Sequence, residues 1–217
     1  MPSQPIKIYY HPISPPCRAV LMTARVLGLQ VELVFVKILE GEQKSPEFLK
    51  MNPQHTVPTI DDGGFILWES RAIMAYLVNA YGREDTLYPK NPRQRAVVDQ
   101  RLYYDITLFQ KYADLYWPVL FFGQEYSEEN AAKLNEVLGW LNSMLEGRAF
   151  VAGDNLSIAD ITIAVTLTNL EAFGFDYSAH QNVAKWFERM KKELDPYGYK
   201  EIDKKGAEEL ALFLKKN

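Results

Sequence analysis

Three short stretches of this sequence carry side chains whose types and spacing could do chemistry. In Ser14-Pro15-Pro16-Cys17 a hydroxyl and the one cysteine of the chain stand three positions apart, directly before a segment of helical periodicity. A helix amino terminus presents unpaired N–H groups and a partial positive charge, which together favour an anion such as a thiolate. The spacing is that of a redox Cys-x-x-Cys with its first cysteine replaced by serine. That replacement removes disulfide chemistry and leaves a hydroxyl able to donate a hydrogen bond to a sulfur anion brought in by a ligand. Ser14 can equally serve as an ordinary helix cap. Cys17 falls in the first helical turn among apolar neighbours, the setting of a buried thiol rather than a nucleophile.

Val57-Pro58 precedes a short strand. A cis bond there would turn the Val57 N–H and C=O outward as an edge for a peptide-like ligand, and a trans bond would make Pro58 an ordinary strand start. Glu69-Ser70-Arg71 opens another helix. Its hydroxyl and N–H groups could hold a carboxylate, Glu69 could pair with an ammonium, and Arg71 could assist electrostatically; the same residues also describe a cap with two solvated charges. His55 has no second histidine at metal-ligand spacing, and His11 and His180 are far apart, so no metal site is expected.

Between Tyr103 and Tyr126 there are nine aromatics: Tyr103, Tyr104, Phe109, Tyr112, Tyr116, Trp117, Phe121, Phe122 and Tyr126. They occupy too much of a helix surface for one core stripe, so about half should pack the core and the rest should line an apolar pocket or an interface. Ser157-x-x-Asp160 before Ile161-x-Ile163 is a capping box, with Asp in place of Glu, and is structural.

The elements that must position these residues follow from periodicity. Ile6–Tyr10 predicts a buried strand broken at Pro12, and residues from Pro15 to Leu29 a helix stopped near Gly28. Val31–Val36 predicts a second strand, parallel to the first through the helical crossover. A short helix at Pro46–Met51 is followed by Thr59–Ile60 and Phe65–Trp68, antiparallel neighbours across the turn Asp61-Asp62-Gly63-Gly64, and by a helix from Ser70 to Tyr81. The first unit, residues 1–82, therefore reads β-α-β-α-β-β-α. Residues 83–91 read as a linker. Residues 92–217 read as all-helical, with helices at Arg93–Phe122, Glu128–Leu145, Ile158–Phe173, Val183–Leu194 and Glu208–Lys215.

Composition narrows the class. The chain of 217 residues is 47% hydrophobic and 24% charged, as globular proteins are. Its formal charge of -4 offers no overall positive field for nucleic acid or an anionic membrane. A single cysteine excludes an internal disulfide and Cys-rich zinc sites and fits a reducing cytoplasm. There is no signal-like amino terminus and no apolar run near ~20 residues, so neither secretion nor a membrane span is expected.

Taken together these pieces resemble cytosolic glutathione transferases, most of all the insect delta class, with the epsilon class next. The resemblance spans essentially the whole chain. It is carried by Ile8-Tyr9-Tyr10-His11-Pro12-Ile13-Ser14-Pro15-Pro16-Cys17-Arg18, by the stretch from Pro46 to Thr59 that contains Asn52-Pro53-Gln54-His55-Thr56-Val57-Pro58, and by Leu67-Trp68-Glu69-Ser70-Arg71-Ala72-Ile73. It implies an α/β plus all-α fold: a thioredoxin-like amino-terminal domain and an all-helical second domain, assembled as a homodimer in the cytoplasm. It further implies that Ser14 is catalytic and holds the sulfur of glutathione, a co-substrate rather than a permanently bound cofactor. Ile38, Gln43, His55, Thr56, Val57, Pro58, Glu69, Ser70 and Arg71 are the implied glutathione-binding residues, and Arg71 and Asp105 an electrostatic network assisting ionisation. Gln43 stands where delta enzymes often have histidine, which predicts somewhat weaker glutathione binding.

The resemblance places the hydrophobic-substrate site at Ile13, Pro16, Phe109, Tyr112, Trp117 and Phe121, with Phe213 closing it. The implied function is conjugation of glutathione to hydrophobic electrophiles in detoxification, with insecticide metabolism as one form it can take. The alternative is a non-catalytic relative that sequesters apolar ligands. A cysteine-based thiol transferase would want cysteine where Ser14 stands.

Overall fold

A computed structural model describes residues 4–214. Strand β1 (Ile6–Tyr10) is the centre of the first domain, and its Ile6 and Ile8 are fully buried. Helix α1 (Pro15–Val26) returns the chain so that β2 (Val31–Phe35) pairs parallel to β1, with Ile6 opposite Val31. Two single-turn 3-10 helices, Ile38–Glu40 and Glu42–Lys44, and α2 (Pro46–Met51) then lead to β3 (Thr59–Asp62) and β4 (Phe65–Trp68). Their hairpin is closed by Gly63 and Gly64 at φ 60° and 96°, backbone that a side chain would resist. The mixed sheet has the order β2-β1-β3-β4, and α3 (Ser70–Tyr81) packs against α1. This is the thioredoxin-like half.

The second domain is helical: α4 (Pro92–Phe122), α5 (Glu128–Met144), α6 (Ile158–Ala172), α7 (Gln181–Leu194) and α8 (Lys205–Ala211). Helix α6 is its axis. Every residue from Ile158 to Leu170 is buried, because α6 meets α4, α7 and α8 of its own domain and also α1 and α3 of the first. Its start is tied down as the sequence predicts. The Asp160 carboxylate accepts from the Ser157 N–H and hydroxyl, at 2.9 and 2.7 Å, and also from Val151 N–H and Trp186 Nε1. Among the described residues no helix is long and apolar enough to cross a membrane.

The end of the chain departs from the expected helix over Glu208–Lys215. A π-helical turn, Tyr199–Lys204, leaves Gly198 at φ 103° and runs directly into α8, which ends at Ala211. Lys215 lies outside the described residues. The buried residues Tyr199, Asp203, Gly206, Ala207 and Leu210 do recur at helical spacing, but two of the five are Asp and Gly, so the face carries no continuous apolar stripe that marks it in the sequence.

Candidate active site

Ser14 is placed by the exit of β1. Its N–H donates to His11 O at 3.0 Å, its own carbonyl accepts from Arg18 N–H, and Pro15 begins α1 where a missing N–H costs nothing. Ser14 holds the cap position, its side chain makes no cap hydrogen bond, and the residue lines the cleft between the domains, with the Cys17 thiol within hydrogen-bonding reach of its hydroxyl. Cys17, one turn on, is fully buried, and burial pushes its thiol up to about 11 against smaller opposing effects from Ser14, the His11 backbone and Arg18. A neutral, enclosed thiol is no nucleophile.

A second wall is built by Asn52, which the sequence reading quoted but gave no role. The side chain is fully buried; its amide N reaches Thr56 O, Thr56 Oγ1 and Thr59 Oγ1 at 3.0–3.1 Å, while its oxygen accepts from Gln54 N–H at 2.9 Å. The loop is thereby folded around one side chain. It holds His55 in the left-handed region at φ 46°, Thr56 exposed, and a cis Val57-Pro58 bond at the cleft. The available signal was Asn before Pro in a loop leading to a strand, a frequent nucleus of local side-chain-to-backbone bonds.

The third wall is the start of α3. Glu69 takes φ 70°, an uncommon conformation for a residue with a side chain, and Ser70 beneath it is buried at the helix amino terminus. Arg71 pairs through Nη2 with the buried Asp105 carboxylate of α4, and Thr162 of α6 donates to the same carboxylate oxygen at 2.8 Å. Among the described residues Arg71 Nε is buried without a hydrogen-bond partner, and so is Gln43 Oε1.

These walls enclose a cleft of about 450 Å³. Ile13, Ser14, Pro16, Ile38, Gln43, His55, Thr56, Val57, Pro58, Glu69, Ser70, Arg71, Phe109, Trp117 and Phe121 all line it, and Asp105 lies directly behind Arg71. The polar groups gather at the sheet end; Phe109, Trp117 and Phe121 form an apolar wall on α4. Pro15, Leu39 and Leu210 also line it and were not expected.

Two expected members of the apolar site are elsewhere. Tyr112 is fully buried, stacked on Phe173 at 5.8 Å and beside Tyr116, because it falls on the core face of α4 with Leu108 and Leu115. Phe213 is partly buried with its ring 6.3 Å from Phe121; the residue that α8 presents to the cleft is Leu210.

The chain is thus a two-domain protein in which the polar cleft of a thioredoxin-like domain opens on an all-helical domain. Models of the glutathione S-transferase N-terminal and C-terminal domains match residues 4–79 and 73–193, and the chain belongs to that family. It is similar to delta-class insect enzymes. It is 48% identical over 205 residues, 94% of each chain, to glutathione S-transferase D7 of Anopheles gambiae. It is 64% identical to the solved glutathione transferase BmGSTD1 of Bombyx mori, with a TM-score of 0.97 over 99% of this chain and 100% of that one. Against a solved delta-class glutathione transferase of Nilaparvata lugens the values are 44% and 0.93, over 98% and 99% of the two chains.

Proposed function

We propose that this protein conjugates glutathione, its co-substrate, to hydrophobic electrophiles, and that Ser14 is the group that holds the thiolate. The observation that carries the reading is Ser14, which stands at a helix amino terminus, makes no cap hydrogen bond with its hydroxyl, and lines the same cleft as the apolar wall of α4. In this reading Glu69, Ser70 and the start of α3 receive the γ-glutamyl end. The Val57 backbone pairs with the cysteinyl unit, and His55 and Gln43 lie toward the glycyl end. Support comes from Gln43 and Arg71, which both line the cleft and each carry a polar atom, Oε1 and Nε, with no hydrogen-bond partner among the described residues.

The chemistry is then a thiol losing its proton to solvent, a sulfur–carbon bond forming on the electrophile, and the electron pair leaving with a departing group or being protonated. Ser14 donates its hydrogen bond to the sulfur anion and takes no proton. Bringing a free thiol from pKa ~8.5 to roughly 6.5 needs about 2.7 kcal/mol, within reach of one charge-assisted hydrogen bond, a helix amino terminus and a nearby guanidinium. Holding both reactants in one cleft lowers the entropic part of the barrier.

The proposal extends to a homodimer acting in detoxification in the cytoplasm. In favour of association, Phe65 of β4 and Tyr103 and Ile106 of α4 are left 49%, 72% and 48% exposed. The test of the catalytic reading is thiolate absorbance of bound glutathione against pH, with conjugation of an aryl halide, for wild type and Ser14→Ala. A lowered thiol pKa that Ser14→Ala raises, with most turnover lost, supports it. Binding with an unshifted thiol and no turnover would make this a ligand-sequestering protein.

A further inference from the structure

Arg18 lies one helical turn beyond Ser14 and is fully buried, as is Asp203 of the π-helical turn. Arg18 Nε is 3.1 Å from Asp203 Oδ1, close but not aligned for a hydrogen bond, and Nη2 donates to Asn169 Oδ1 on α6. Asp203 Oδ2 accepts from Thr168 Oγ1 at 2.6 Å. The other ionisable groups facing the guanidinium are Tyr112 of α4, the Cys17 thiol and Glu209 of α8. One cation of the first domain is thus held by several elements of the second. Desolvating both charges offsets much of their attraction, so a well-packed apolar pair would stabilise the fold as well or better. What an ion pair supplies in its place is a defined geometry.

Gly206 shows what that geometry controls. Helix α8 approaches so closely there that a Cβ would collide with the Pro12 carbonyl and come within 2.7 Å of Arg18 Cδ and 2.8 Å of Nη1. Pro12 belongs to the loop between His11 and Ser14, which is closed by the bond from Ser14 N–H to His11 O. The helical domain therefore grips this loop on both sides of Ser14, with Gly206 on Pro12 before it and Asp203 on Arg18 after it. None of Pro12, Arg18, Asp203 and Gly206 lines the cleft.

We propose that Arg18 and Asp203, closed over Gly206, are positioning residues that set where the Ser14 hydroxyl meets the glutathione sulfur. The inference rests on the reading of Ser14 given above. It makes ionisation of the thiol depend on a carboxylate in the last part of the helical domain that never touches glutathione.

The test is the thiolate titration of bound glutathione in Ser14→Ala, Asp203→Asn, Gly206→Ala, Thr168→Val and Leu138→Ala. Asp203→Asn keeps the size of the side chain and an acceptor for Thr168, and Thr168→Val removes a hydroxyl that reaches Asp203 Oδ2 and the Ala164 carbonyl while keeping the side-chain shape, a mild variant that should fold. Leu138, buried in α5 away from the cleft, is the control for lost stability alone. Expected for Asp203→Asn and Gly206→Ala is about a tenfold smaller thiolate fraction near pH 6, one tenfold step being one pH unit of the thiol's titration. The value of kcat/KM should fall alike and recover near pH 9, with KM for glutathione little changed. Thr168→Val should move the same way by less. Leu138→Ala should melt earlier and titrate as wild type. Folded Asp203→Asn, Gly206→Ala and Thr168→Val that titrate as wild type while Ser14→Ala does not would overturn the inference. A wild-type titration in Ser14→Ala would instead sink the reading of Ser14 itself.

Discussion

Arg71 and Asp105 join the two domains through one ion pair whose acid is completely buried while its base reaches the cleft. Thr162 and Thr166 of α6 supply further hydrogen bonds to the carboxylate, at 2.8 and 3.5 Å. Substituting the acid strands a partly buried cation beside the glutathione cleft. Asp105→Ala should cost about 3–5 kcal/mol and raise KM for glutathione. Urea unfolding, with and without saturating glutathione, checks the first, and initial rates check the second.

Cys17 should behave as packing, not chemistry. The folded thiol keeps its proton up to about 11, whereas an unfolded one releases it near 9.0. Its burial is therefore harmless below pH 9.0 and increasingly unfavourable as pH rises toward 11, by about 3 kcal/mol in all. The stability of wild type relative to Cys17→Ala, measured by denaturant titration, should be constant up to pH ~9 and decline above it. Turnover should survive the substitution, and iodoacetamide should label Cys17 in urea but not in buffer.

Tyr112 and Trp117 lie five positions apart on α4 and should respond in opposite ways. The Tyr112 hydroxyl is buried with no hydrogen-bond partner among the described residues, so Tyr112→Phe should be neutral or slightly stabilising and leave electrophile selectivity unchanged. Trp117→Ala should leave the melting temperature nearly intact, because the side chain is 44% exposed, and raise KM for apolar electrophiles about tenfold, the worth of one good apolar contact. Kinetics over a series of aryl halides of increasing size separate the two.

Asp160 receives four hydrogen bonds in a fully buried setting. Asp160→Ala leaves those donors unpaired at the start of the central helix, and about 3 kcal/mol or more should be lost. The change should appear as a lower urea midpoint, with the glutathione thiol titration of the remaining folded protein unaltered.

Much of the architecture was legible because it is local. The strands Ile6–Tyr10 and Phe65–Trp68 and the helices at Pro46–Met51 and Ser70–Tyr81 coincide with runs whose periodicity and flanking Pro, Gly or Ser admit one reading. The cleft residues were legible mainly through resemblance, since cap chemistry alone does not separate Ser14 from any other serine before a helix. What stayed hidden depends on the third dimension. An aromatic's type does not tell which face of α4 it takes, so Tyr112 was misplaced. Arg18 looks like a solvent-facing charge until Asp203 arrives from 185 positions later in the chain. Asn52 looks like a turn residue until Thr56 and Thr59 fold back on it.

Helix α4 runs unbroken for 31 residues, about 46 Å, through Pro118. Asp105, Phe109, Trp117 and Phe121 fall on it at multiples of four, so the acid behind Arg71 and the apolar wall of the cleft are stations on one rigid rod. Substitutions that enlarge, narrow or reshape the wall can accumulate at the last three stations without moving the first. A cleft built on such a rod can change the shape of what it admits while the ion pair that ties the two domains together stays where it is.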